Sequence, residues 1–462
     1  MSIDLEASLS QTERSIFELI RSHARTLGDV VPRVAGGWVR DKLMGNSCFD
    51  MDIALSNISG YEFALGLSES ATDHKITTVH VIKNNHEKSK HLETAVVRIN
   101  DICVDFVGLR SETYSDARVP CVVPATPEED SFRRDLTINS LFYNLFTNAI
   151  EDHTGRGIED IRNKLLATPL DPKVTLFDDP LRIVRILRFH SKLRFDIDEK
   201  IYNAMEDEEI RKALARKVSN ERIYIEISKM IHYSMGQYGL LEIIRRRYVE
   251  PIFKPPVLIE QSYEQGVKFI EAVEEITNLC TRPYRREILC LYTILCFFSR
   301  QTITGCKKSS YCNTYIMKVC LPSSKAFVKT IDSIEKNLTF LDTHDLENLG
   351  AEGFIRIVRY MGEIWYESLI IYCAIEHMKN EKEKFKNGLG IICKIIQESI
   401  EEYYKATSIV DASSLIRELG IVECEMRFYI EEGIVYQLLT QTDDPRKIVE
   451  HLKRVKGSRM NL

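Results

Sequence analysis

Val34-Ala35-Gly36-Gly37-Trp38-Val39-Arg40-Asp41, followed closely by Asp50-Met51-Asp52, decides how this chain is read. A short β-branched run, Val30–Ala35, meets two glycines and passes into Trp38–Met44, which has helical character. Glycine lets the backbone come close to a phosphate, and a helix N-terminus presents free N–H groups to it. Gly36 and Gly37 are therefore candidate triphosphate contacts, and Arg40, one turn into the helix, can add a charge-assisted one. Asp50 and Asp52 lie in a strand candidate, Cys48–Leu55, where residues two apart face the same way and Met51 points to the core. Two carboxylates this close raise each other's pKa unless a cation lies between them. A hard divalent ion, Mg²⁺ above all, is the natural partner for such oxygen ligands. Alone, the Asp pair also fits a half-exposed edge strand, and the glycine pair fits any tight corner. Their succession is more specific than either.

Outward from this core, the first ~150 residues read as mixed α/β and the remainder as almost wholly helical. Ile16–Leu27 is a helix candidate; Ile76–Lys83, Glu93–Ile99 and Ile102–Val107 are strands, the last two joined by an Asn100–Asp101 hairpin turn. Asp105, between Val104 and Phe106 on that second arm, is a candidate third carboxylate of a two-metal site that activates a hydroxyl. It is equally readable as the wet face of an alternating strand. Ser111–Asp130 is polar, holds three prolines and reads as a long loop. Helical periodicity resumes at Asp179, with breaks expected at Pro251–Pro256, Thr302–Ser310 and Gly388–Gly390.

At 462 residues the chain exceeds one core and should hold about two to four domains. Its net charge of −6 excludes a generally basic nucleic-acid coat and leaves room for a local basic groove. Arg211–Lys217, Arg245–Arg247 and the run from Arg446 to Arg459 are basic candidates; each also fits a solvated surface. No apolar run approaches the roughly 20 residues of a membrane span. The twelve cysteines never form CxxC and match no zinc spacing, which points to reduced thiols in the cytosol, nucleus or an organelle matrix. The acidic, serine-broken N-terminus fits neither a signal nor a transit peptide.

Four stretches now occur in a telling order: GGWVRD, FDMD, Arg133-Arg134-Asp135-Leu136-Thr137-Ile138-Asn139, and Asp178-Asp179-Pro180-Leu181-Arg182. Together they resemble the successive motifs of class II tRNA nucleotidyltransferases, the CCA-adding enzymes, and of their bacterial poly(A) polymerase relatives. Ser219–Glu226 resembles the last motif of that family, and the stretch from Gly108 to Asp135 looks most like its eukaryotic branch. The resemblance is specific over residues ~30–230. It implies an α+β chain: a polymerase-beta-like nucleotidyltransferase head of mixed sheet and helices, then an all-helical neck, body and tail. The expected division is 1–29, an N-terminal helical segment; 30–150, the head; 151–250, the neck; and 251–462, body and tail. It also implies that Asp50 and Asp52 hold two Mg²⁺ ions, that Asp105 completes the catalytic set with Glu112 as a competitor, and that Arg133, Arg134, Asp135 and Asn139 bind ribose and phosphates.

Asp179, Arg182, Arg185 and Arg188 recur at helical spacing, which would put Asp179 and Arg182 on one face. The same pattern fits a solvated face opposite Ile183, Val184, Ile186 and Leu187. In the light of the family motifs, the Asp179–Arg182 pair reads as a template made of protein. Asp accepts hydrogen bonds and Arg donates them, which matches the amino donor beside a ring-nitrogen acceptor on cytosine and adenine. Uracil and guanine reverse that pattern, stranding polar groups at about 1–3 kcal/mol each. Arg185 and Arg188 are further nucleotide-binding candidates. Within Thr113–Pro127, Asp116 and Arg118 are candidates for a flexible loop that moves the template. The implied reaction takes CTP twice and then ATP onto the tRNA 3′ end, releasing pyrophosphate. The implied partner is tRNA, bound at its acceptor arm and 3′ end, with no protein partner, no membrane, and a monomer or homodimer. A poly(A) polymerase, a CC-adding enzyme and a non-catalytic RNA-binding scaffold are the alternatives. The expected location is cytoplasmic, with the nucleus and mitochondrion open.

Overall fold

Ser10 opens the first helix of the computed structural model, its hydroxyl accepting from the Glu13 N–H at 3.2 Å while the Glu13 carboxylate accepts from the Ser10 N–H at 2.8 Å. The structure describes residues 5–48, 50–70, 76–82, 94–100, 102–113, 121–280, 282–303, 310–347 and 349–460. Two compact units divide at Gly239 and Leu240, within helix Gly236–Arg245, short of the boundary expected at residue 250.

Unit 1 begins α1 (Gln11–Thr26), β1 (Pro32–Ala35), α2 (Gly37–Leu43), β2 (Asp50–Leu55), α3 (Gly60–Ser70), β3 (Ile76–Ile82), β4 (Thr94–Ile99) and β5 (Ile102–Gly108). It continues with β6 (Arg110–Thr113), β7 (Cys121–Pro124), α4 (Pro127–Phe132), β8 (Phe142–Asn144) and β9 (Ala149–Glu151). Seven strands form one sheet in the order β3-β4-β5-β2-β1-β8-β9. Only β2 and β5 run parallel; every other neighbouring pair is antiparallel. β4 and β5 alternate along their length, and β2 does so over Asp50–Ile53. Met51, Ile53, Val104 and Phe106 are buried, and the ring of Phe63 of α3 packs tilted against Phe106 with centroids 5.2 Å apart. The helix therefore covers the face opposite Asp105, and the acidic face carries no such lid from α3.

Within the expected long loop Ser111–Asp130, residues 111–113 and 121–130 belong largely to regular elements, and 114–120 lie outside the described residues. β6 pairs antiparallel with β7, and α4 follows with Thr126 and Glu129 as a reciprocal cap and Pro127 in its first turn. The prolines punctuate these elements: Pro124 ends a short two-stranded edge and Pro127 needs no N–H donor at a helix start. Asp116 and Arg118 lie outside the described residues.

Beyond the sheet, unit 1 holds the helices α5 (Gly157–Arg162), α6 (Pro172–Asp178), α7 (Leu181–Leu193), α8 (Glu199–Met205), α9 (Glu208–Lys217) and α10 (Asn220–Ile231). α7 and α10 pack together, with Ile183, Ile186 and Leu187 of α7 and Ile223 and Ile227 of α10 all buried.

Unit 2 is built almost entirely of helices. Its helix Trp365–Met378 is buried nearly all round, the mark of a core helix with no wet face. The break expected at Gly388–Gly390 is absent, because helix Lys382–Gln397 runs straight through. A Cβ on Gly388 would sit 2.5 Å from Cys373 Sγ, so that glycine serves close helix packing instead of a turn. The basic run from Arg446 lies in helix Pro445–Met460, where Lys456 Nζ caps the carbonyl of Gly420 at 3.2 Å and Lys453 pairs with Glu418 at 3.0 Å. His344 stacks on Phe340 at 3.9 Å. None of the described cysteines is in a disulfide, and among the described residues no helix is long and apolar enough to cross a membrane.

Candidate active site

Parallel pairing of β2 with β5 sets Asp52 directly opposite Asp105 and Asp50 opposite Cys103. Residues paired across a sheet share a face, so the three carboxylates gather on one side; Asp50 and Asp52 are open and Asp105 is half-buried. Crowding by protein atoms, then Asp50 and Asp105, push the Asp52 carboxyl up to about 6, against the opposing pull of Arg134. Burial and Asp50 likewise raise Asp105. Among the described residues no Lys or Arg forms an ion pair with these three, and no three His, Cys, Asp or Glu side chains converge as a ready-made metal cage. That donor set suits Mg²⁺, which keeps several waters and takes one or two carboxylates together with substrate phosphates.

The Gly36–Gly37 turn lies at the end of β1, whose Ala35 pairs with Asp52. Gly36 has φ +63° and caps α2; its N–H donates to the Leu141 carbonyl at 2.9 Å. A Cβ there would stand 2.9 Å from Arg134 Nη1 and 3.1 Å from the Asn139 carbonyl oxygen, so conformation and space both demand glycine. Arg40 is placed behind this turn. It is 3% exposed, donates from Nε to Asp41 Oδ1 at 2.8 Å and from Nη1 to Asn139 Oδ1, and lies over the Phe189 ring.

The Arg133-Arg134-Asp135 stretch is organised by a residue the sequence reading missed. Buried Asp130 accepts from Arg133 Nη2 at 2.6 Å and Arg134 Nε at 2.9 Å. Arg134 also donates to the Asn139 carbonyl at 3.1 Å and covers the Phe142 ring. Asp135 accepts from Asn139 Nδ2 at 3.1 Å and Arg185 Nε at 2.8 Å. Burial pushes its carboxyl up, yet Arg185, Asn139 and Arg182 outweigh it and bring it to about 2. Glu112 sits on the β6–β7 hairpin, outside the main sheet, and accepts from Arg133 Nη1 at 2.9 Å. Asp105, not Glu112, stands abreast of Asp52.

Asp179 precedes α7, and the expected common face with Arg182 is not what the side chains adopt. Asp179 Oδ1 accepts from the Leu181 N–H at 3.3 Å, and Oδ2 from Arg222 Nη2 at 2.8 Å. Arg182, 7% exposed, donates to the carbonyls of Thr175, at 3.3 Å, and of Arg133. Arg188 is equally buried and pairs with Glu226, which also lies 3.5 Å from Arg185. The solvated-face reading therefore fails for Arg182 and Arg188. Arg222 and Glu226 went unassigned, though their spacing of one helical turn within Ser219–Glu226 puts both on the face that meets α7.

Residues 32–167 match the family model of the poly(A) polymerase head domain. Over 441 residues the chain is 30% identical to a tRNA nucleotidyltransferase of Schizosaccharomyces pombe, covering 90% of this chain and 91% of that one. The chain belongs to the tRNA nucleotidyltransferase family. It is 45% identical over 227 residues to a mitochondrial CCA tRNA nucleotidyltransferase of Candida glabrata, covering 48% of this chain and 43% of that one. The fold resembles that of the Thermotoga maritima CCA-adding enzyme complexed with tRNA, with a TM-score of 0.66, 17% identity and coverage of 97% and 96%. As a tRNA nucleotidyltransferase the protein is an enzyme, with the mixed-sheet head and helical remainder expected of it.

Proposed function

We propose that this tRNA nucleotidyltransferase adds C, C and A to the 3′ end of tRNA without a nucleic-acid template. The observation that carries the reading is the register that sets Asp52 abreast of Asp105, beside the Gly36–Gly37 turn. Asp50 and Asp52 would hold Mg²⁺, which supplies charge neutralisation at the triphosphate and at the leaving pyrophosphate. Asp105 takes the proton of the tRNA 3′-hydroxyl as that oxygen attacks the α-phosphate of CTP, then of ATP. Gly37 receives the triphosphate on its backbone, Gly36, whose N–H is spent on the Leu141 carbonyl, gives the phosphates room by lacking a side chain, and Arg40 holds the turn from behind through Asn139. Arg133, Arg134, Asp135 and Asn139 line the ribose and phosphates; Arg185 and Arg188 brace them through Asp135 and Glu226.

Asp179 and Arg182 choose the base by the donor and acceptor logic set out above, once Arg182 turns from its backbone partners toward the nucleotide. Asp116 and Arg118 belong to the loop that reshapes this pocket between C and A. The tRNA is read by shape and phosphate contacts along its acceptor arm, by narrow basic linings within a chain of net charge −6. Head, neck, and body with tail occupy residues 30–150, 151–250 and 251–462. The protein works in the cytoplasm, with nuclear and mitochondrial service in keeping with its mitochondrially named relative.

The test is extension of a tRNA transcript lacking its CCA, with Mg²⁺ and CTP, ATP, both, UTP or GTP, resolved at single-nucleotide length. Two added residues with CTP and three with both are expected. A long ladder from ATP alone would mean a poly(A) polymerase, and arrest after two C residues a CC-adding enzyme. Tight tRNA binding with no extension would leave a binding protein and overturn the catalytic reading.

A further inference from the structure

The carboxylate of Asp179 is held by a residue that lies outside the base-reading pair. Arg222 donates from Nη2 to Asp179 Oδ2 at 2.8 Å, and among the described residues it alone is ion-paired with Asp179. The other carboxylate oxygen has the Leu181 N–H at 3.3 Å, a long contact that fixes little by itself. The remaining arginines nearby are committed elsewhere: Arg182 to backbone carbonyls, Arg185 to Asp135 and Arg188 to Glu226.

Arg222 is itself fixed in place. It sits in the first turn of α10, whose start is capped by Ser219, and one turn on, buried Glu226 fastens the same helix to Arg188 of α7. The Arg222 side chain is 47% exposed while Asp179 is 17% exposed, so the guanidinium reaches the carboxylate from the solvent side. A carboxylate has about four lone-pair sites. With Arg222 and the Leu181 N–H using two, Asp179 keeps capacity for the amino group of a base while its plane is fixed.

We propose that Arg222 is a positioning residue for nucleotide choice, holding the Asp179 carboxylate at the angle from which it reads the amino group of cytosine or adenine. This rests on the template reading of Asp179 and Arg182. Discrimination against uracil requires that the acceptor be unable to turn away from the uracil carbonyl. A carboxylate tethered through one weak contact turns away readily, and both the reward for CTP and the penalty for UTP then shrink.

The test is single-nucleotide addition to tRNA lacking CCA by wild type, Arg222→Ala, Arg222→Gln and Arg222→Lys, with kcat and KM measured for each nucleotide. Arg222→Ala is expected to raise KM for CTP and to change kcat less. It should also narrow the CTP-to-UTP ratio of kcat/KM by about tenfold, the equivalent of one hydrogen bond of roughly 1.4 kcal/mol. Arg222→Lys keeps the charge without the planar fork and should fall between. A purely structural role would lower melting temperature and slow all nucleotides alike. Unchanged CTP-to-UTP and ATP-to-GTP ratios in every variant that folds would overturn the proposal, and Arg222→Gln and Arg222→Lys secure that answer if the alanine variant does not fold. Wild type that adds neither C nor A would overturn the underlying reading instead.

Discussion

Asp52 and Asp105 come from strands that are distant in sequence, yet the parallel register sets them side by side on one face of the sheet. That pairing concentrates negative charge where no described basic side chain neutralises it by an ion pair, which is what a site for a divalent cation and a triphosphate requires.

Removing either carboxylate should therefore remove chemistry and spare the fold. Asp52→Ala is expected to lower the rate of nucleotide addition by at least ~10³-fold, since charge stabilisation by bound metal is worth several kcal/mol. Asp105→Asn should lower it strongly while leaving Mg²⁺-dependent nucleotide binding nearly intact. Single-turnover kinetics beside a binding titration separates the two, and full activity in Asp105→Asn would return Glu112 to consideration.

The raised Asp52 carboxyl has a consequence for pH. Between its unfolded value near 4 and its folded value of about 6, the folded protein holds a proton that the unfolded chain has released. In EDTA this group's contribution to stability is thus favourable at low pH and falls as pH rises through that window, then levels off. Mg²⁺ must displace the proton, so its binding should weaken as pH drops below about 6. Thermal unfolding in EDTA and Mg²⁺ titrations at pH 5 to 7.5 measure both, and an Asp52→Asn protein with the same pH slopes would contradict the assignment.

Asp135 behaves in the opposite sense. Its carboxyl is brought to about 2 chiefly by Arg185 against the burial that would raise it, so its stabilisation is present above about pH 4 and lost as pH falls through 2. The shift corresponds to about 2 kcal/mol. Arg185→Ala should cost about 2 kcal/mol, less than the ~3–5 of a fully buried pair because Arg185 is 34% exposed. Acid unfolding should also begin at higher pH, and an unmoved acid limb would count against this network.

Gly36→Ala tests the phosphate turn. Its φ of +63° and the 2.9 Å approach to Arg134 Nη1 predict about 1–3 kcal/mol of strain, shared between backbone and a displaced Arg134. Activity should fall more than stability, read as a higher KM for CTP. Gly28→Ala, with φ +77° and nothing within 4 Å of its Cβ, supplies the control for backbone strain alone.

Much of the head was legible in the sequence because its signals are local. The alternation around Asp50, Met51 and Asp52, the glycine pair and the Asn100 turn each act through nearest neighbours, and all appear as read. Two readings failed for a reason that short-range pattern cannot carry. Pro124 and Pro127 read locally as a loop but delimit a strand pair and a helix, and Gly388 reads locally as a break but admits a neighbouring helix.

Sequence by itself determined the residue types of the site, their order and the periodicity that set each on a strand or helix. Tertiary structure alone decided which of them meet. That Asp105 stands beside Asp52 follows from a parallel register across an intervening crossover. That Arg40 bonds Asn139 and Asp135 bonds Arg185 follows from burial, since charged groups removed from water must find partners wherever the fold supplies them, and Asp179 meets the exposed Arg222 because α10 packs on α7. Such partnerships join residues tens of positions apart, and no local spacing records them.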